Sequence, residues 1–142
     1  MRLTGLRCSG PAWLFGWVTA VFLPSLLIAF ERRGLEGLPG HSWKVADDVG
    51  PFAKLLLGGL LMLCFWLATR VRVGPLALWA ALGGLAAMAL SLALIPAGYS
   101  RGFGIGLTGA RFDPAILPWY AIGAVAAGCV FALALARCRA RR

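Results

Sequence analysis

The stretch PLALWAALGGLAAMALSLALIPA, Pro75 to Ala97, runs for 23 residues without a single charged side chain. A hydrocarbon core roughly 30 Å thick is crossed by about 20 helical residues. Backbone N–H and C=O groups surrounded by lipid must be satisfied inside the segment, so such a stretch is read as a membrane-spanning helix. The rest of the chain fits this reading. Of its 142 residues 61% are hydrophobic and only 13% are charged, against about 25% charged in an ordinary soluble domain. A soluble fold of this length cannot hide so much apolar surface, whereas a bilayer takes the place of a core.

Working outward, three further stretches qualify: Pro11 to Phe30, Pro51 to Thr69 and Pro114 to Ala136. The expected architecture is all-α, a four-helix transmembrane bundle forming one membrane domain over residues 1–142. Helix punctuation supports the starts. Asp47 and Asp48 precede Pro51, Gly74 precedes Pro75, and Asp113 precedes Pro114. Proline suits a first helical turn, and an aspartate before it can cap free N–H donors at the positive helix end. The first span follows Arg2 and Arg7 as a signal peptide would. It is too long, and no small-x-small cleavage site closes it, so it is read as a retained anchor with a kink at Pro24.

The net charge of +9 would suggest nucleic acid in a soluble protein. Here the arginines flank apolar segments, and there is no basic stripe on a folded polar surface, so nucleic-acid binding is excluded. With the N-terminus inside, the inner face holds Arg2, Arg7, Arg70, Arg72, Arg137, Arg139, Arg141 and Arg142. The outer face holds Arg32, Arg33, Lys44, Lys54, Arg101 and Arg111. That bias predicts cytoplasmic N- and C-termini. All five acids, Glu31, Glu36, Asp47, Asp48 and Asp113, fall on the outer side with His41. The short inner connection from Arg70 to Gly74 predicts an antiparallel hairpin of the second and third spans.

Small residues recur four apart: Ala80 with Gly84, Gly83 with Ala87, Gly123 with Ala127, and Ala124 with Gly128. Such pairs let helix backbones approach closely in lipid, although alanine-rich segments also produce them by chance. Cys8, Cys64, Cys129 and Cys138 show no CxxC and no metal-ligand spacing, and are expected to be free thiols.

The spans carry no ionisable side chain between Leu55 and Thr69, Leu76 and Ala97, or Ala115 and Ala136, nor does the first. A charge at mid-membrane costs about 2.5–3.5 kcal/mol or more and persists mainly for function. Its absence argues against a proton relay, an ion-coupled carrier or an intramembrane hydrolase. No catalytic residue, metal site or cofactor is assigned.

The remaining candidates lie on the outer loops. Gly104, Gly106 and Gly109 spell GxGxxG, but between membrane helices this lacks the βαβ unit of a dinucleotide fold. With Gly102, Arg101 and Arg111 they could cradle an anionic lipid headgroup, since glycines turn successive N–H groups toward an anion and arginine offers a planar fork. An interfacial loop with arginines resting on lipid phosphates explains the same residues. A second outer cluster comprises His41, Asp47, Asp48 and Asp113, acid–base or metal groups on one view. Helix capping, and anchoring by Trp43, is the plainer view. Trp119 and Tyr120 read as aromatic-belt residues.

The order of features resembles the VanZ-like family of small bacterial membrane proteins. There the second span typically opens Asp-Lys-x-x-His-Phe, and Asp47 to Phe52 reads Asp-Asp-Val-Gly-Pro-Phe, keeping the aspartate and the phenylalanine. Arg111, Asp113, Gly123 and Gly128 are similar to the pattern around that family's last span, with Tyr120 where an asparagine is usual. The resemblance implies an envelope-associated protein of the inner membrane, linked in that family to glycopeptide tolerance. The leading expectation is a non-catalytic, multi-pass accessory or small subunit whose partners are membrane lipids and other membrane subunits. One alternative is an interfacial enzyme acting on a polyprenyl or phospholipid phosphate. In it Arg101 and Arg111 would clamp phosphate, and His41, Asp47 or Asp48 would move protons. A passive transporter or channel is another, lined by Thr19, Ser25, Ser91 and Tyr120.

Overall fold

The computed structural model describes residues 4–95 and 115–141, with side chains from Cys8 onward. Its elements are α1 (Thr4–Arg33), α2 (Leu38–Asp48), α3 (Pro51–Ala68), α4 (Leu76–Leu94) and α5 (Leu117–Ala140). Four of them, α1, α3, α4 and α5, are long and apolar enough to cross a membrane. The fold is all-helical, as expected, and has the architecture of a multi-pass membrane protein.

Apolar side chains cover both the inside and the outside of these four helices. Leu57, Leu61, Phe65, Phe131 and Leu135 are buried, while Leu14, Phe15, Met62, Leu63, Leu82 and Leu133 are exposed. Exposed leucine and phenylalanine along whole helices would be an aggregation hazard in water and are the ordinary lining of a lipid contact.

In lipid the helices gain little from hydrophobic burial against one another, so close backbone packing decides where they meet. The small pairs are the meeting points. A methyl group added at Gly84 would strike the Ala124 carbonyl, and one added at Gly128 would strike the Ala80 carbonyl. The Ala80–Gly84 step of α4 therefore interlocks with the Ala124–Gly128 step of α5. Gly123 receives Pro24 of α1 just as closely, 2.5 Å from where a Cβ would stand to the proline Cγ. Gly83 faces the backbone and Cβ of Cys64, which joins α4 to α3.

Tryptophan fixes α1 on α3. Trp13 and Trp17, four apart, stack with ring centroids 5.4 Å apart. The Trp13 Nε1–H donates to the Gly58 carbonyl at 2.9 Å, and the Trp17 Nε1–H donates to the Lys54 carbonyl at 2.9 Å. Gly58 is the position where the Trp17 ring lies against α3. Phe65 and Phe131, stacked at 4.5 Å, close the centre between α3 and α5.

Two expectations are corrected here. Cys8 and Cys138 are not free thiols but form a disulfide that ties α1 to α5 across 130 residues of sequence. Cys64 and Cys129 are free. Asp47 and Asp48 do not stand at the N-cap position of the span that follows. The residues before it form α2, so the aspartates end one helix instead of starting the next, and the N-cap of α3 is Gly50 with no side-chain cap. Gly50 has φ +75°, a conformation that glycine adopts without strain, which reverses the chain into Pro51. Pro51 does occupy the first turn of α3. Pro75, by contrast, stands just ahead of α4, in extended conformation.

Candidate functional site

Among the described residues, every acidic side chain and the one histidine lie at the end of the bundle that carries α2. The turn between α1 and α2 uses Gly34 and Gly37, both with positive φ, to send the chain back against α1. Val45 and Ala46 are buried, and Trp43 sets its ring 5.6 Å from that of Phe22. Trp43 is nevertheless 66% exposed, an amphipathic ring at the boundary of the apolar bundle.

The sequence grouped His41, Asp47, Asp48 and Asp113 together. Asp113 lies outside the described residues, and the structure separates the other three. His41 is half-buried, Asp47 exposed and Asp48 buried. His41 and Asp48 are seven residues apart on α2, two turns or about 10 Å along the axis, too far for direct proton exchange. Asp47 points about 100° away from Asp48 around the same helix. The acid–base cluster is not assembled on α2. Among the described residues no group of three or more His, Cys, Asp or Glu side chains is placed to hold a metal ion.

His41 stands instead among cations. Its imidazole is held below the ordinary 6.5, first by loss of hydration against the protein and then by the charges of Arg33, Lys44 and Arg32. The neutral ring is therefore favoured, with one nitrogen able to accept a hydrogen bond and the other to donate.

Asp48 is 2% exposed and Tyr120 is 1% exposed. Sequence reasoning read Tyr120 as an aromatic-belt residue or a polar lining, and the structure buries it in the core. Its neighbour Trp119 does belong to the rim, where Nε1–H donates to Glu31 Oε2 at 2.6 Å and ties the start of α5 to the end of α1. Trp13 and Trp17 were also not singled out. Their spacing of four on an apolar helix is the signal that places both rings on one face.

Arg101, Gly102, Gly104, Gly106, Gly109 and Arg111, the anion-cradle candidates, lie outside the described residues. The hydroxyls suggested as a pore lining turn inward on their own helices. Ser25 donates to the Val21 carbonyl at 2.7 Å, Ser91 to Ala87 at 2.8 Å, and Thr19 to Phe15 at 2.8 Å. Each thereby uses its donor on the preceding turn, the usual way a hydroxyl is hidden in an apolar helix. Comparison with protein-family models, with curated proteins and with solved structures gave no match.

Proposed function

We propose that the chain is a non-catalytic, multi-pass protein of a bacterial inner membrane. It serves as an envelope accessory or as a small subunit of a larger membrane assembly, and makes its polar contacts at the α2 end. The observation that carries this reading is the distribution of polarity. Apart from Met88, Ser91 and Tyr120, the buried residues of α3, α4 and α5 are glycine, alanine, leucine and phenylalanine, while Glu31, Arg32, Arg33, Glu36, His41, Lys44 and Asp47 follow one another at the end of α1 and along α2. A rim that mixes both signs of charge works through what it touches there.

Membrane phospholipid is one partner. Trp43, Lys44, Arg32 and Arg33 are the residue types that hold a helix at headgroup depth. A second membrane subunit is the other, and the VanZ-like resemblance supports placing both at the cell envelope. The excess of arginine beside the short hairpin and the chain ends supports cytoplasmic termini.

The test is cross-linking in native membranes followed by extraction in mild detergent. Covalent recovery of a defined membrane protein through residues 31–48, with phospholipid retained on the purified chain, is the expected result. A chain that comes out monomeric, uncross-linked and free of lipid from the same membranes would sink the reading.

A further inference from the structure

The end of the bundle opposite α2 carries the feature that the reading above leaves unused. There Cys8 of α1 and Cys138 of α5 are joined, with Cα atoms 5.8 Å apart. Three observations bear on what the bond is for.

The first is that α1 and α5 pack closely at points other than the bond. Gly16 receives Phe65 and lies against the Ala127 carbonyl and the Phe131 Cβ, and Gly123 receives Pro24. Together with Trp119 and Glu31 at the far end, these contacts run along the whole seam. The bond ties the beginning of α1 to the last turn of α5, two helices already packed.

The second is that the two residues differ in exposure. Cys8 is buried and Cys138 is half-buried in the last turn of α5. A partner therefore reaches Cys138 first. The third is charge. Arg137, Arg139 and Arg141 flank Cys138 and are exposed, Arg70 and Arg72 of the hairpin are exposed at the same end, and no acid stands among the described residues there. A surface of one sign concentrates ligands of the other, and a thiolate is an anion.

We propose that Cys8–Cys138 is a reversible thiol–disulfide exchange site that opens and closes by reaction with a thiolate-bearing partner. Closing begins when the Cys138 thiolate attacks the partner's disulfide, forms a mixed disulfide and expels one partner sulfur as thiolate. The Cys8 thiolate then attacks Sγ of Cys138 and expels the second. Two protons leave the two cysteines, and two electrons pass to the partner, which ends as two thiols. Opening is the same sequence reversed, with a partner thiolate attacking Cys138 and Cys8 leaving. Cys138 is the exchanging residue, and Cys8 the resolving one.

The experiment uses the full chain in membranes, with Cys64→Ala and Cys129→Ala so that only this pair reports. Membranes are equilibrated in glutathione buffers from fully oxidised to fully reduced, acid-quenched and labelled with a maleimide of high mass. The expected result is conversion from no adduct to two, both thiols titrating together, with trypsin resistance of the bundle unchanged. In Cys8→Ala, Cys138 should take up glutathione at least tenfold faster than Cys8 does in Cys138→Ala. A parallel arm replaces glutathione by a protein dithiol, and faster opening there identifies a protein partner instead of a small thiol. Two adducts in every buffer, or none even in reduced glutathione and protein dithiol, overturns the proposal. So does collapse of trypsin resistance on reduction, which would make the bond a structural staple, and so do equal uptake rates in the two single variants.

Discussion

At the scale of single residues, glycine separates contact from lipid exposure more sharply than any apolar side chain does. Leucine stands on both the buried and the exposed faces of these helices, so its position in the sequence does not tell which face meets a neighbour. Gly128 and Gly59 illustrate the difference. A Cβ at Gly128 would collide with backbone atoms of Ala80 and Ala81, which have no side-chain freedom to yield, whereas at Gly59 it would meet nothing within 4 Å. Gly128→Ala should therefore force α4 and α5 apart and lower stability by about 1–3 kcal/mol, the usual cost of overpacking. Gly59→Ala should leave stability unchanged or raise it by about 0.5–1 kcal/mol, because glycine is the poorer helix former. Reversible unfolding of the purified chain in mixed micelles measures both. Equal effects at the two positions would mean that the Ala80–Gly84 and Ala124–Gly128 steps do not interlock.

At the scale of elements, the four long helices were legible because each is a run of about 20 residues that only lipid can solvate. Two others parts of the architecture were not. The segment from Leu38 to Asp48 mixes proline, glycine, histidine, lysine and two aspartates, and at 11 residues it is shorter than the ~12–15 needed for a helix to hold alone in water. Its helicity comes from docking Val45, Ala46 and Trp43 on α1, a tertiary effect that no local pattern announces. The pairing of Cys8 with Cys138 was equally hidden, because partners so far apart in sequence are brought together only by the antiparallel course of α1 and α5. The candidate site suffered from the first of these. Once α2 exists, His41 and Asp48 stand two turns apart along one helix and Asp47 points about 100° away from Asp48, so residues that were neighbours in sequence cease to be a cluster. The same docking gives α2 a pH dependence with a definite sign. His41 docked has a lower proton affinity than His41 free, so above pH 6.5 the ring is neutral in both states and docking carries no proton-linked cost. As pH falls through 6.5 the free form takes up protons first, and docking weakens. An imidazole titration followed by NMR should place His41 below 6.5 at low ionic strength. About 1 M salt, with a Debye length near 3 Å, should raise it part of the way back by screening Arg33, Lys44 and Arg32 while the lost hydration remains. A midpoint at or above 6.5 that ignores salt would show that α2 does not hold His41 among those cations.

At the scale of the whole molecule, the question is whether anything can pass through it. A carrier or proton relay needs groups that exchange hydrogen bonds across roughly 30 Å of hydrocarbon. Below Tyr120 the buried residues of α5 are Gly123, Ala124, Ala127, Gly128, Phe131, Ala132 and Leu135. Those of α3 are Ala53, Leu57, Gly58, Leu61, Phe65 and Ala68. None brings a polar side-chain atom to the interior. Ser25 of α1 and Ser91 of α4 are buried, but each donates its hydroxyl hydrogen to its own helix. The Phe65–Phe131 stack fills the centre at van der Waals distance. Among the described residues each buried polar group thus lies near one end or is already engaged, and an ion entering at Asp48 would next meet apolar packing at a cost of several kcal/mol. Liposomes carrying on average one copy of the chain should hold a pH gradient as long as protein-free liposomes of the same lipid. Decay that speeds up only at many copies per vesicle would locate a path between chains, at the exposed faces of the helices. Faster decay at a single copy would mean that the interior opens, and the reading of this bundle as a closed body working from its rim would fall with it.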